Sequence, residues 1–307
     1  MGNYNILEKE YTPNMALLAT EEKEKRYFEM SKEVSRTSEA AKIKQIEYNY
    51  DGNLLTYSTR DTLKIFPALT SGEIFRPKNI ISINMDQYAF VQSHTLVHTA
   101  KEKMFYLSIH DNKYLRDFVG NDSPIQDISI DSINDTIMSV TRESIDLWDI
   151  RMANPTKKIL NPMPLGALSN GHFYCMADNN FIAIFDKRND QKYLTKKAIQ
   201  SNFYKKVAYV PDGTKILLKT ATSYYFYSNM GELNTYITLE NPNDGAVTPD
   251  SANLLCPSRN YVFSYKIEDR KKLDSLDTGT ENNRIRVSPA GNQFVVGNEN
   301  RIQVYNF

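Results

Sequence analysis

The chain has 307 residues, 41% of them apolar and 24% charged, with 37 basic side chains balanced by 37 acidic ones. That balance lacks the global basic footprint of a direct nucleic-acid binder, and the absence of an 18-residue apolar run argues against a spanning helix. Two cysteines, Cys175 and Cys256, follow no metal-ligand spacing and suit a reducing, intracellular compartment.

Residues 1–24 read as an extension outside the main domain. Their opening, "MGNYNILEKEY", has no apolar core for a secretory signal, and Ile6 stands where myristoylation at Gly2 needs Ser or Thr. "NMALLATEEKEK" suits a short helix there. From residue 25 onward a repeat takes over. "NYDGN" (Gly52) precedes the aromatic end of "TLKIF" (Phe66) by 14 residues. Next comes "MFYLSIHD", whose Ser108 is placed in the aromatic slot behind a longer loop. "SIND" (Asn134) then precedes Trp148 of "ESIDLWDIR" by 14, where Ile145 and Leu147 alternate with Ser144 and Asp146 as in a half-buried strand. The same offset joins Gly171 to Phe185, Gly213 to Tyr227, Ser251 to Tyr265 and Gly291 to Tyr305.

The landmarks 66, 108, 148, 185, 227, 265 and 305 are 42, 40, 37, 42, 38 and 40 residues apart. This is the spacing of a four-stranded WD-repeat blade. The expected fold is therefore all-β, a seven-bladed WD-repeat β-propeller over residues 25–307. Its last unit reaches only a third strand at "RIQVYNF", so "RYFEMSKEV" (26–34) is expected to add the fourth and close the ring, removing an open sheet edge.

Local motifs take their meaning from this frame. His110 to Lys113 ("HDNK") becomes the turn between the third and fourth strands of blade 2, with ordinary turn residues and no nucleophile or second base at a related spacing. His94 and His98 of "HTLVH" are placed in that blade's long loop without a third metal ligand. The stretch 186–206 holds seven basic and two acidic residues and reads as a lysine-protected outer strand, with a partner surface as the competing reading. Tyr224 to Tyr227 form an aromatic core strand. No phosphate-loop, HExxH or CxxC pattern occurs, and no cofactor or metal is implied.

The segment "LSIHDNKYLRDFVG", followed one blade later by "NDTIMSVTRESIDLWDIRMANP", resembles a specific WD-repeat family. This is the Swd-type propeller subunit shared by the COMPASS histone methyltransferase and the phosphatase module of the cleavage-and-polyadenylation machinery. The likeness is dense over residues 104–154 and rests elsewhere on repeat phase. It implies a non-catalytic nuclear scaffold that binds a linear segment of a large methyltransferase or phosphatase-regulatory subunit. It further implies recruitment to the phosphorylated tail of RNA polymerase II, with no direct nucleic acid, membrane or homo-oligomer contact. The chain departs from the wider WD pattern: no blade has Asp at the tight turn six residues before the aromatic, and the sole Gly-His pair, Gly171-His172, lies in another loop. Packing rather than polar networks is expected to hold the blades.

Arginine takes that turn position instead. Arg60, Arg142 and Arg259 lie six residues before Phe66, Trp148 and Tyr265. They are the candidate partner-binding residues, three guanidinium forks on one rim suited to a phosphorylated or acidic peptide. The bland alternative is solvated surface charge. Two other functions compete: a phosphoinositide-binding propeller of the autophagy type, whose paired arginines are missing here, and a propeller enzyme, for which no acid–base constellation is present.

Overall fold

The computed structural model describes residues 32–68, 76–160, 163–169, 171–188, 192–197, 204–240 and 242–307. The described residues form 28 strands in seven four-stranded antiparallel sheets. Blade 1 is β2 (Gln45–Tyr48) to β5 (Asn79–Ser82), blade 2 is β6 (Gln87–Gln92) to β9 (Lys113–Phe118), and blade 3 is β10 (Asp127–Asp131) to β13 (Lys157–Leu160). Blades 4, 5 and 6 begin at β14 (Leu165–Leu168), β18 (Lys206–Tyr209) and β22 (Ala246–Val247) and end at β17 (Lys192–Lys197), β21 (Leu233–Thr238) and β25 (Lys272–Asp277).

Blade 7 joins β26 (Arg284–Val287), β27 (Gln293–Gly297) and β28 (Arg301–Asn306) to β1 (Lys32–Ser38), which pairs antiparallel with β28 from Lys32↔Asn306 to Ser38↔Arg301. The ring is therefore closed by an N-terminal strand, as expected, but the strand runs to Ser38 rather than ending at residue 34. Residues 26–31 of the expected strand and the 1–24 extension lie outside the described residues. Beyond β1, the Glu39 carboxylate accepts from Lys64 Nζ at 2.8 and 2.9 Å and from the Tyr57 hydroxyl, tying the closing segment to blade 1.

The apolar core divides into seven clusters, each lying between two neighbouring blades. A blade of four short strands presents two apolar faces and can bury them only against its neighbours, which explains strands apolar on both sides. The landmark aromatics lie in these interfaces. Trp148 is fully buried between blades 2 and 3, and Tyr174 stacks on Phe185 with centroids 4.8 Å apart. The 14-residue offset has a backbone cause as well. Gly52, Gly213, Ser251 and Gly291 all adopt left-handed φ between 58° and 72° in the turn between first and second strands. Glycine is needed at Gly52 for space too, since a Cβ there would come within 2.9 Å of the Ala290 amide of blade 7.

Three expectations need correction. In blade 2 the residue equivalent to the landmark aromatics is Leu107, not Ser108. Every landmark pairs with a residue eleven positions earlier on the second strand: Leu55↔Phe66, Ile137↔Trp148, Tyr174↔Phe185, Ile216↔Tyr227, Leu254↔Tyr265 and Phe294↔Tyr305. In blade 2 that pair is Leu96↔Leu107, both fully buried, whereas Ser108 hydrogen-bonds to Asp111 in the following turn. His98 is also not in a loop but in β7 (Thr95–Ala100), buried against Phe105 with ring centroids 5.1 Å apart. Finally, packing is not the whole support of blade 3. Trp148 Nε1 donates to Ser139 Oγ at 3.0 Å, and Ser139 donates to Asn121 Oδ1 at 2.9 Å. Gly120-Asn121 thus does in this blade what a Gly-His pair does in the wider pattern.

Candidate functional site

Strands alternate in direction from the centre outward, so the hairpin between second and third strands emerges on the same face as the link to the next blade. Each such hairpin has two apex residues, and Arg60, Arg142 and Arg259 are the first apex residue in blades 1, 3 and 6. Side-chain-to-backbone bonds fix the apex. Thr141 Oγ1 accepts from the Ser144 amide at 2.9 Å and donates to the Ser144 carbonyl at 3.0 Å, so the backbone turns tightly and Arg142 points outward. Thr59 and Thr62 bracket Arg60 through a hydroxyl pair at 2.8 Å.

All three arginines are exposed. The structure brings them to one face but not into contact, and none lines the central channel, whose wall comes from the inner strands. Arg60 Nε lies 3.9 Å from its neighbour Asp61, a loose contact between two highly exposed groups. Arg142 is followed by Glu143. Arg259, at left-handed φ of 51°, is followed by the uncharged Asn260 and makes no ion pair among the described residues.

The corrected phase of blade 2 adds a fourth cation. Six residues before Leu107 is Lys101, which shares Arg259's left-handed backbone, with φ of 57°. Its amide donates to Asp86 Oδ2 at 2.8 Å and its side chain is exposed. The signal for it was in the sequence: counting six residues back from Leu107, rather than from Ser108 fitted to the aromatic slot, places a cation at the apex. Blades 1, 2 and 3 therefore carry Arg60, Lys101 and Arg142 in succession, each followed by an acid (Asp61, Glu102, Glu143). Blades 4, 5 and 7 have Asn179, Ala221 and Glu299 there, and Glu299 is paired with Lys42.

A second charge system lies in the channel, about 640 Å³ in volume. Arg286 on β26 donates to Glu47 Oε1 at 2.9 Å and to Asp244 Oδ2 at 2.7 Å, while Lys206 reaches Asp244 Oδ1 at 3.0 Å. One ionic chain thus links blades 5, 6, 7 and 1. Burial pushes the Asp244 carboxyl up, yet Arg286 and Lys206 outweigh it and hold it below the usual carboxylate range. Asp127 on β10 has no such neighbour. Its hydrogen bond comes from the Ile128 amide at 2.9 Å, and burial raises it to about 6 against the weaker pull of Lys206.

Within the basic stretch 186–206, three of the described cations are paired on folding. Lys187 is mostly buried against Asp131, Arg188 pairs with Asp186 at 2.6 Å, and Lys206 belongs to the channel chain. His110 and His94 lie with ring centroids 6.2 Å apart near the turn after β8 (Lys103–Ser108); that turn is Ile109 to Asn112, and Lys113, expected in it, instead opens β9 and pairs with Ser108. No group of three or more metal-ligating side chains converges among the described residues.

No family model matches the chain. It is similar to WD repeat-containing protein 82 of Drosophila melanogaster, at 25% identity over 261 residues, covering 78% of this chain and 79% of that protein. It is also similar to COMPASS component SWD2 of Saccharomyces cerevisiae, at 29% identity over 126 residues, covering 38% of this chain and 37% of that protein. The likeness read from residues 104–154 thus has a counterpart over most of the chain in the first relative. Both relatives are WD-repeat proteins of the Swd type, in agreement with the seven-bladed ring.

Proposed function

We propose that the chain is a non-catalytic nuclear scaffold, a propeller subunit of a COMPASS-type histone methyltransferase complex and/or a 3′-end-processing phosphatase complex. The observation that carries this reading is the similarity to a COMPASS component. Its large partner is a methyltransferase or phosphatase-regulatory subunit, engaged through a linear segment, as repeat scaffolds commonly bind.

In the same reading, the hairpin face takes the phosphorylated tail of RNA polymerase II. Four blades place a cation at one structural position, Arg60, Lys101, Arg142 and Arg259. A phosphate carries roughly −1.5 to −2 charges near neutral pH and accepts paired bonds from a guanidinium. The carboxylate beside three of these cations weakens the local field, yet a phosphate dianion still attracts each cation more strongly than a neutral peptide does.

Two measurements test the proposal. Affinity purification from the native cell should recover a methyltransferase or phosphatase-regulatory subunit in stoichiometric amount; recovery as a lone monomer overturns the scaffold reading. In a fluorescence-anisotropy titration, the R60E/R142E/R259E variant should bind a phosphorylated polymerase-tail peptide at least tenfold more weakly than the parent. Parent affinity should also fall with added salt. Equal binding by parent and variant removes the arginines from the site.

A further inference from the structure

Resting on the phosphopeptide reading, we propose that the crevice between blades 5 and 6, at Arg259, is the subsite for a phosphorylated residue followed by proline in an extended peptide. Blade 6 differs from the others on this face. Its third strand, β24 (Tyr261–Lys266), starts directly after the hairpin as the others do, but carries Tyr261, Phe263 and Tyr265, which alternate along it and so face one way. The three rings, with Arg259 and Lys272, line a crevice of about 390 Å³ whose opposite wall is Thr238 to Glu240 of blade 5.

The aromatic wall is built and accessible. Tyr261 and Phe263 stack with centroids 6.0 Å apart and planes 20° from parallel, and Tyr261 remains 44% exposed. Lys272 Nζ sits 4.2 Å from the Phe263 centroid, which puts a second cation in the crevice. At the position of Tyr261 the other third strands begin with Thr62, Lys103, Ser144, Phe181, Ser223 and Arg301. Only blade 4 also has an aromatic there, and its apex is the uncharged Asn179. Cation and exposed aromatic therefore coincide in blade 6 alone.

The chemistry of the occupant follows. Exposed aromatic rings in a groove accept the flat, preformed face of a proline in an extended segment, at little entropic cost. Arg259 offers a planar fork with no carboxylate beside it in the hairpin, so it suits a phosphate more than Arg60 or Arg142, each followed by an acid. Glu240, on the opposite wall, carries the one negative charge among the crevice residues. Its backbone carbonyl accepts from Ser258 Oγ at 2.8 Å, and the orientation follows from the cation and the rings alone, with phosphate toward Arg259 and proline over Tyr261 and Phe263.

The test uses the full chain and three fluorescein-labelled peptides: phosphoserine-proline, phosphoserine-alanine and unmodified serine-proline. The parent should favour the first over each of the others by at least fivefold. R259E should lose more phosphoserine-proline affinity than R60E or R142E. Y261A should weaken that peptide about fivefold and remove the preference for proline over alanine, while Y261F keeps both. Matching thermal melts would show that the variants fold. If Y261A and R259E bind like the parent while R60E and R142E lose affinity, the phosphopeptide reading stands and this subsite is wrong. A parent that binds no phosphopeptide, or binds only phosphoinositide-containing vesicles, overturns both.

Discussion

Asp127 should destabilise the ring at neutral pH. It begins the inner strand of blade 3, lines the channel, and accepts a hydrogen bond from the Ile128 amide without a close cation. Burial raises its carboxyl from 3.8 to about 6. A raised carboxylate pKa means that the fold disfavours the ionised form, so the cost is absent below the unfolded value, grows between pH 3.8 and 6, and is complete above 6. At about 1.36 kcal/mol per pH unit, a shift of roughly two units costs about 3 kcal/mol. Water in the open channel screens the charge, so about 1–3 kcal/mol is the expected range.

Asp127→Asn keeps an oxygen for the Ile128 amide and cannot ionise. Urea denaturation at pH 8 should show the variant more stable by about 1–3 kcal/mol, and at pH 4.5 by only about a third as much, because much of the parent's folded carboxyl is by then protonated. An Asn variant no more stable than the parent at pH 8 would refute the reasoning. So would an advantage of equal size at both pH values.

Arg286→Met should cost about 3–5 kcal/mol, because it leaves Glu47 and Asp244 partly buried without their shared cation; adding Glu47→Gln should recover part of the loss, and urea melts with no recovery would mean the pair is not coupled. His98 supplies an acid-sensitive element. Burial lowers its imidazole to about 4, against smaller opposing pulls from the Thr99 backbone and the Asp117 carboxylate. The unfolded chain therefore takes up a proton that the folded one refuses, and stability is lost as pH falls from 6.5 toward 4, by up to about 3 kcal/mol. His98→Phe should flatten that part of the stability-versus-pH curve relative to the parent, and an unchanged slope would disprove the assignment.

The ring was legible because its two determinants are local. A left-handed turn residue such as Gly52 or Gly291 and a buried aromatic such as Phe66 or Tyr305 are both visible in sequence, and antiparallel pairing fixes the distance between them. Blade 2 misled because it uses Leu107 where the others use an aromatic, and its turn has neither glycine nor proline. The closing strand was recognisable by topology but not by position, since "SKEVSRTS" has no apolar alternation to mark its ends. The channel chain was hidden for a different reason. Glu47, Lys206, Asp244 and Arg286 are far apart in sequence, and only the closed ring brings them within 3.0 Å of one another in turn.

That ring also decides which charges remain for a partner. Inward-facing charges on the first strands meet across a narrow channel, where partial burial strengthens pairing and makes an unpaired group such as Asp127 costly. Charges at the hairpin apices lie in water, where pairing with Asp61 or Glu143 contributes little to folding. The first set therefore serves the fold, and the second can change without unfolding it. A one-residue error in blade 2 shows how sharply this separates sites: taking Ser108 as the landmark puts Glu102 at the first apex position, and taking Leu107 puts Lys101 there. The first choice breaks the row of cations with an acid. The second makes it continuous over blades 1, 2 and 3, and the Leu96↔Leu107 pairing selects the second.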